Sequence, residues 1–392
     1  MRIIYFLPDI DAGVSRVVKN LIIHRPSDKK VEYAVVLSHN KKDTHKRVTE
    51  DFDGVKTFRF EFSPEENLYC VYKRLYELCV KSGEDIFVCN DGWEIRMTVA
   101  LRLQNPVVYI LHGDFGYYYN VVNLNKTIVN CFIAISNKIE WEVHKLLDKK
   151  SNAAIIKIYF PVAAAIQTNR QKKSTDGFRI LFAGHLEERK GAELIPEIYK
   201  KMIEKGMDDF CIDIVGDGVL YEELSQHFKD IKRVSFYGRQ SNEFVLGKMK
   251  EADVFLFPSK LEGLPNVLIE ALGNEAIPIA SNLESGVQDI ITNNINGILV
   301  DNPVDANEFA DKITALYNNR STLLQLRKNC LTGIDKFDPY RQAAAYENVI
   351  INVKPIQRIF PEKYIMGGVL NKSWLPNWLV KSIRRMINHP KL

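Results

Sequence analysis

A chain of 392 residues is too long for one ordinary hydrophobic core, so two domains are the natural expectation. Apolar residues make up 46% and charged residues 26%, which places the chain among soluble globular proteins; a formal charge of +4 is too modest to argue for a nucleic-acid partner. The six cysteines (Cys70, Cys79, Cys89, Cys131, Cys211 and Cys330) show no CxxC or Cys/His ligand spacing, which excludes a disulfide scaffold or zinc module from the expectation.

The first residues, Met1-Arg-Ile-Ile-Tyr-Phe-Leu-Pro, run straight into a strand and lack the long apolar region of a signal peptide. No apolar stretch approaches the roughly 18–20 residues that span a bilayer. The expectation is a cytoplasmic protein. Ile3–Leu7 ends at Pro8, and a small-residue turn, Asp9 to Arg16, leads into an apolar-periodic helix through Ile23. Strand, turn and helix open a βαβ unit with a ligand near the turn. Further apolar runs at Tyr33–Leu37, Ile86–Cys89, Val107–Leu111 and Cys131–Ile135 alternate with helical or polar segments, which argues a parallel sheet covered on both faces. His112 stands at the carboxyl end of one such strand, the side on which open α/β sheets bind ligands. Asp91 and Trp93 follow another strand, and Asp114 and Tyr117 follow His112; these four are candidates for an acceptor side. Ile158–Val162 reads as the last strand-like piece of this half, and residues 166–177 have the polarity of a linker.

A second βα series begins at Phe178. The loop Gly184-His185-Leu-Glu-Glu-Arg189-Lys190-Gly191 combines glycines, cations and a following helix, as a phosphate site does. Strand and tight turn recur at Cys211–Gly218 and Val234–Gln240. Ala252–Phe257 reads as a buried strand that stops at Pro258, and an apolar-rich helix opens near Pro265 or Asn266. Free N–H groups of Asn266, Val267 and Leu268 at that helix end would suit a phosphate. Glu262 and Glu270 bracket it. Two acids beside an anion site repel phosphate but can accept hydrogen bonds from hydroxyls on either side of a diphosphate. That description suggests a nucleotide-sugar.

The stretch Pro258-Ser-Lys-Leu-Glu262-Gly-Leu-Pro-Asn-Val-Leu-Ile-Glu270-Ala resembles the retaining glycosyltransferases of family 4. The resemblance implies two Rossmann-like doubly wound parallel-sheet α/β domains facing across a cleft, the GT-B architecture, working without a metal or other cofactor. It implies a nucleoside-diphosphate sugar as donor and a glycan hydroxyl, lipid-linked in this expectation, as acceptor. By the same resemblance Glu262 holds sugar hydroxyls, Glu270 holds the ribose, and Gly263, Leu264, Asn266, Val267 and Leu268 line the donor. Lys190, with His185 or Arg189, meets the diphosphate; Lys190 matches the family loop Gly-Arg-Leu-x-x-x-Lys-Gly, and His185 stands where Arg is usual. Gly216 belongs to a turn typical of the family, Arg239 to the region that meets the base, and His112 to a position that touches the transferred sugar. In the first turn Gly13 and Arg16 fit the family's Gly-Gly-x-Glu-Arg. Ala12 and Ser15 depart from it, and a methyl group at position 12 restricts φ. Glu275 occupies a position where the family commonly has Gly. The catalytic expectation is Glu262, His112 and Lys190. Two other readings stay open: an epimerase of nucleotide-sugars on the same architecture, and a nucleotide-sugar-binding partner subunit without catalysis.

The expected division is an acceptor-side domain over 1–165, a linker over 166–177, a donor domain over 178–336, and crossing-back helices with a basic tail over 337–392. From Lys354 to Lys391 there are eight Lys/Arg against Glu362 alone, a net +7. Leu375, Trp378, Leu379, Ile383, Met386 and Ile387 follow helical spacing within it. Such a helix either anchors the protein peripherally at an anionic membrane surface, here the inner face of the cell membrane, or packs its apolar stripe on the first domain.

Overall fold

The computed structural model describes residues 1–26, 31–49, 52–147, 151–162, 177–360 and 369–388. The expected linker, apart from Gly177, lies outside the described residues, as do Glu362, Lys363 and Lys391 of the tail. Alternation of buried strand and amphipathic helix builds two all-parallel sheets. The first contains β1 (Arg2–Pro8), β2 (Glu32–Asn40), β3 (Lys56–Phe62), β4 (Ile86–Cys89), β5 (Val107–Leu111), β6 (Cys131–Ala134) and β7 (Ala154–Lys157). Its strand order is β3-β2-β1-β4-β5-β6-β7. The second contains β8 (Phe178–Ala183), β9 (Phe210–Val215), β10 (Val234–Phe236), β11 (Val254–Phe257), β12 (Ile277–Ser281) and β13 (Ile298–Val300), in the order β10-β9-β8-β11-β12-β13.

Both orders reverse direction once, between β1 and β4 and between β8 and β11. At such a switch point the crossover helices diverge to opposite faces and leave a crevice at the carboxyl ends of the strands. The central strands β4, β5 and β6 are buried at every position, which is why they read as unbroken apolar runs.

Two strands differ from the sequence reading. β3, Lys-Thr-Phe-Arg-Phe-Glu-Phe, is an edge strand with much of its surface open, so it has no continuous apolar signature. β7 lies over Ala154–Lys157, and Ile158–Val162 leaves the sheet. Ile158 N still donates to Ala134 O at 2.9 Å, but Pro161 has no N–H with which to continue a ladder. Ile158, Phe160 and Val162 are buried there instead.

The chain divides into two compact units: Met1–Ile135, Ile139–Pro161 and Pro339–Leu392 in one, Ser136–Lys138 and Val162–Asp338 in the other. The C-terminal helices therefore return to the first unit. Helix Pro339–Ile351 buries Ala343, Tyr346 and Ile350 there, and Tyr346 Oη donates to Ile158 O at 3.2 Å. Tyr340 meets His24 edge-on, with ring centroids 4.8 Å apart. The following segment is pinned by Arg358, whose guanidinium donates to the carbonyls of Leu103, Asn105 and Ile128 at 2.6–2.8 Å. No helix among the described residues is long and apolar enough to cross a membrane.

Candidate functional site

In the second unit the loops after β8 and β11, neighbouring strands at the switch point, are stitched together. Lys260 N donates to Arg189 O at 2.9 Å, Lys260 Nζ lies 2.5 Å from Glu193 Oε1, and Arg189 Nη1 reaches Leu261 O at 3.4 Å. Gly191 makes this close approach possible: its φ is +69°, and a Cβ there would stand 2.0 Å from Pro258 O. The stitched loops bring Lys190 Nζ to 2.6 Å from Glu262 Oε1. Both side chains are largely buried, at 18% and 9% exposure, so each charge depends on the other where it stands. Arg189 is committed elsewhere, pairing with Glu187 at 2.7 Å.

Helix Asn266–Gly273 starts directly beyond, with Pro265 as its cap residue. The N–H groups of Asn266 and Val267 meet no acceptor among the described residues, but Leu268 N donates to Pro265 O at 3.0 Å. The expected trio of free donors is thus a pair, because the first turn closes on the carbonyl of its own cap. The side-chain carbonyl of Asn266 is buried without a hydrogen-bond partner among the described residues. Gly263 O accepts from Gly286 N at 2.7 Å and Leu264 is buried, so this wall is held from behind by the loop after β12. Glu270 lies one helical turn further, half-buried.

A second row runs along the carboxyl ends of β8, β9 and β10. Gly184 N donates to Val215 O at 3.0 Å and Gly216 N to Gly238 O at 2.9 Å. A Cβ on Gly216 would stand 1.8 Å from Gly184 O, so the row closes only around glycine. It places His185 and Arg239, both exposed, beside it, each directly after one of those glycines.

In the first unit the carboxyl ends of β1, β4 and β5 meet through Asn90, which the sequence reading did not single out. Asn90 Nδ2 donates to Phe6 O at 2.9 Å, and Asn90 Oδ1 lies 2.7 Å from His112 Nε2. Because the amide nitrogen faces carbonyls, its oxygen must be the acceptor; His112 Nε2 carries the proton and Nδ1 is left as an acceptor. Burial pushes the His112 pKa down to about 3, so the ring is neutral near pH 7. Phe160 stacks on it at 5.3 Å. The signal for Asn90 was positional: a polar residue directly after a buried central strand.

The other candidates of this unit divide. Asp91 caps helix Gly92–Ala100 by accepting from Gly92 N at 2.7 Å, and burial raises its pKa. Trp93 stacks on Phe62 at 4.6 Å within an aromatic cluster that includes Phe60 and Tyr72. Asp114 accepts from Tyr119 Oη. Tyr117 is 52% exposed. Gly13 opens the first helix with nothing within 4 Å of where a Cβ would stand. Ala12 has φ −141°, extended backbone that any residue adopts, so its methyl group imposes no restriction. Ser15 Oγ donates to Ala12 O at 2.7 Å and accepts from Ala12 N at 3.2 Å, closing the turn.

Two doubly wound parallel sheets in one chain, each with its polar candidates at the switch point, define the GT-B class of fold. The crystal structure of Anabaena Alr3699/HepE in complex with UDP-glucose has that likeness, with TM-score 0.69 and 16% identity over 89% of this chain and 99% of the other. Sucrose-phosphate synthase from Thermosynechococcus elongatus gives TM-score 0.67 at 19% identity, over 89% of this chain and 97% of the other. Residues 165–331 match the family model of glycosyl transferases group 1, a stretch that falls in the second unit, and the resemblance read from its central loop agrees with that match at the level of the group.

Among curated relatives, the Campylobacter jejuni GalNAc-alpha-(1->4)-GalNAc-alpha-(1->3)-diNAcBac-PP-undecaprenol alpha-1,4-N-acetyl-D-galactosaminyltransferase is 29% identical over 45% of this chain. An uncharacterized glycosyltransferase of Haemophilus influenzae is 27% identical over 68% of it. The chain spans about half the length of the first relative, 48%, and 76% of the second.

Proposed function

We propose that the protein is a retaining glycosyltransferase that moves a sugar from a nucleoside-diphosphate donor to a hydroxyl of a lipid-linked glycan. The observation that carries this reading is the Lys190–Glu262 pair, 2.6 Å apart at the switch point of the second sheet, beside the outward N–H groups of Asn266 and Val267. A lone buried ammonium would be costly, so Glu262 balances it while no donor is bound. An arriving diphosphate offers Lys190 a stronger partner and turns Glu262 toward the sugar hydroxyls. Glu270, one turn into the helix, takes the ribose. As the glycosidic bond breaks, negative charge grows on the leaving diphosphate, and Lys190 with the two N–H groups is fixed where that charge appears. The leaving phosphate oxygen receives the acceptor's proton on the same face, which preserves configuration. His112, neutral and with Nδ1 as acceptor, takes a hydrogen bond from a sugar hydroxyl rather than holding a charge. Undecaprenol-linked acceptors in the names of relatives support the lipid-linked glycan.

The test is a panel of UDP-, GDP-, ADP- and dTDP-sugars scored by thermal shift and slow donor hydrolysis, with Lys190→Ala and Glu262→Gln beside the native protein. One donor is expected to stabilise the native protein and to be hydrolysed by it, and each substitution to slow hydrolysis on the order of 100-fold. Stabilisation by no donor would sink the reading; binding without hydrolysis, even with acceptor glycolipid present, would favour a non-catalytic partner subunit.

A further inference from the structure

Helix Asn377–Asn388 sits on the first unit the wrong way round for an ordinary surface helix. Successive residues advance by about 100°, and Asn377, Val380, Lys381 and Arg384 fall on one side. That side faces the protein. Asn377 Nδ2 donates to Glu66 Oε1 at 3.0 Å, and Asn377 Oδ1 accepts from Asn67 N at 2.9 Å. Lys381 Nζ lies 3.3 Å from Glu66 Oε1. Arg384 donates to Pro64 O at 3.0 Å and to the buried Asn371 at 2.9 Å. Val380 is fully buried among them. The opposite side carries Trp378, Leu379, Ser382, Ile383 and Met386, of which Trp378 is 69% and Met386 73% exposed. Trp374, in the turn just before, is 74% exposed. Of the apolar stripe, for which anchoring at a membrane and packing on the first domain were both open, Trp378, Met386 and Ile387 are exposed and Leu375, Leu379 and Ile383 are half-buried, while the polar side with Val380 does most of the packing.

We propose that this outward face seats on the interfacial region of a lipid bilayer. Two of the chain's four tryptophans stand on it or beside it, and an amphipathic indole suits the boundary between headgroups and acyl chains. Charge supports the same occupant. The described residues from Lys354 onward hold six Lys/Arg and no Asp or Glu, with Arg385 on the helix and Lys372 before it both exposed. Most of those cations are already engaged: Arg358, Lys381 and Arg384 bind the first unit, and Arg385 Nε lies 3.6 Å from Glu65. Attraction to anionic headgroups is thereby reduced, and insertion of the apolar side chains carries the binding. The surface holds the protein at a membrane whether or not a donor is bound.

The experiment is co-sedimentation of the full chain with phosphatidylcholine vesicles and with phosphatidylcholine–phosphatidylglycerol vesicles, without donor or acceptor. The native protein is compared with a Trp378→Ser/Met386→Ser double variant; both positions are exposed, and circular dichroism with donor thermal shift checks the fold independently. Native protein is expected to pellet with both vesicle types, with only a several-fold preference for the anionic one, and with its tryptophan emission quenched by brominated lipid. The double variant is expected to lose binding by about tenfold or more. Equal pelleting by variant and native, or no pelleting of native protein by either vesicle, overturns the proposal. So does a native dimer that the double variant dissociates, since the face would then belong to a second copy.

Discussion

His112 shows how burial and one partner set a residue's chemistry. Asn90 fixes its tautomer, and burial holds its pKa near 3, so the ring stays neutral in the folded state while an unfolded chain protonates near 6.5. The unfolded state therefore binds more protons between those values, and stability falls as pH drops from about 6.5 towards 3. Between pH 7 and pH 5 this group alone removes up to about 2 kcal/mol. Urea denaturation of native protein and His112→Asn at the two pH values should show a smaller pH-dependent loss in the variant by that order. Equal losses would mean that the ring is hydrated and titrates normally. Of the residues discussed, Glu262, Lys190 and His112 were legible because a charged or titratable side chain next to a strand end is unusual in type and place. Asn90 was not, because an amide after a strand is common and its partners, Phe6 and His112, are distant in sequence.

At the scale of the element, loops are fixed by where backbone can approach backbone. The loops after β8 and β9 were legible because Gly191 and Gly216 punctuate them, and both positions exclude a Cβ by collision with a carbonyl oxygen. The first-turn bond from Leu268 to Pro265 was not legible, since the same sequence starts a helix with or without it. Glu275, the residue for which sequence offered no account, closes the turn after helix Asn266–Gly273 with φ +58°. Its N–H donates to Leu272 O at 3.0 Å. The left-handed region is where glycine is at ease and a side chain costs about 1 kcal/mol, which explains glycine's frequency at this position. Glu275→Gly should raise the stability of the second unit by about 1 kcal/mol, less the extra entropy glycine brings to the unfolded chain. Glu275→Ala should bring no such gain, because the strain stays. Chemical denaturation of both variants checks this, and a Glu275→Gly protein weaker than native would show that contacts of the side chain outweigh the strain.

For the whole molecule, two parallel sheets could be read from repeated strand–turn–helix periodicity, since buried parallel strands need unbroken apolar runs. Edge strand β3 escaped because an edge needs only alternation, and the orientation of the last helix escaped because the pattern gives an apolar stripe without saying which way it faces. The return of the C-terminal segment to the first unit has an energetic consequence. Tyr346 is fully buried there, about 190 residues from its hydrogen-bond partner Ile158, so it ties the far end of the chain into the first core. Tyr346→Ala should cost about 3–5 kcal/mol by leaving a cavity, and Tyr346→Phe about 1 kcal/mol through the lost hydrogen bond. Because Tyr346 and its hydrogen-bond partner Ile158 both belong to the first unit, the loss should fall on that unit. Calorimetry of the alanine variant is expected to split into an early transition and one near the native temperature, and brief proteolysis at the intermediate temperature should leave fragments from within residues 162–338. A single transition lowered as a whole would instead show that the units melt as one cooperative body, and that the last helices stabilise both.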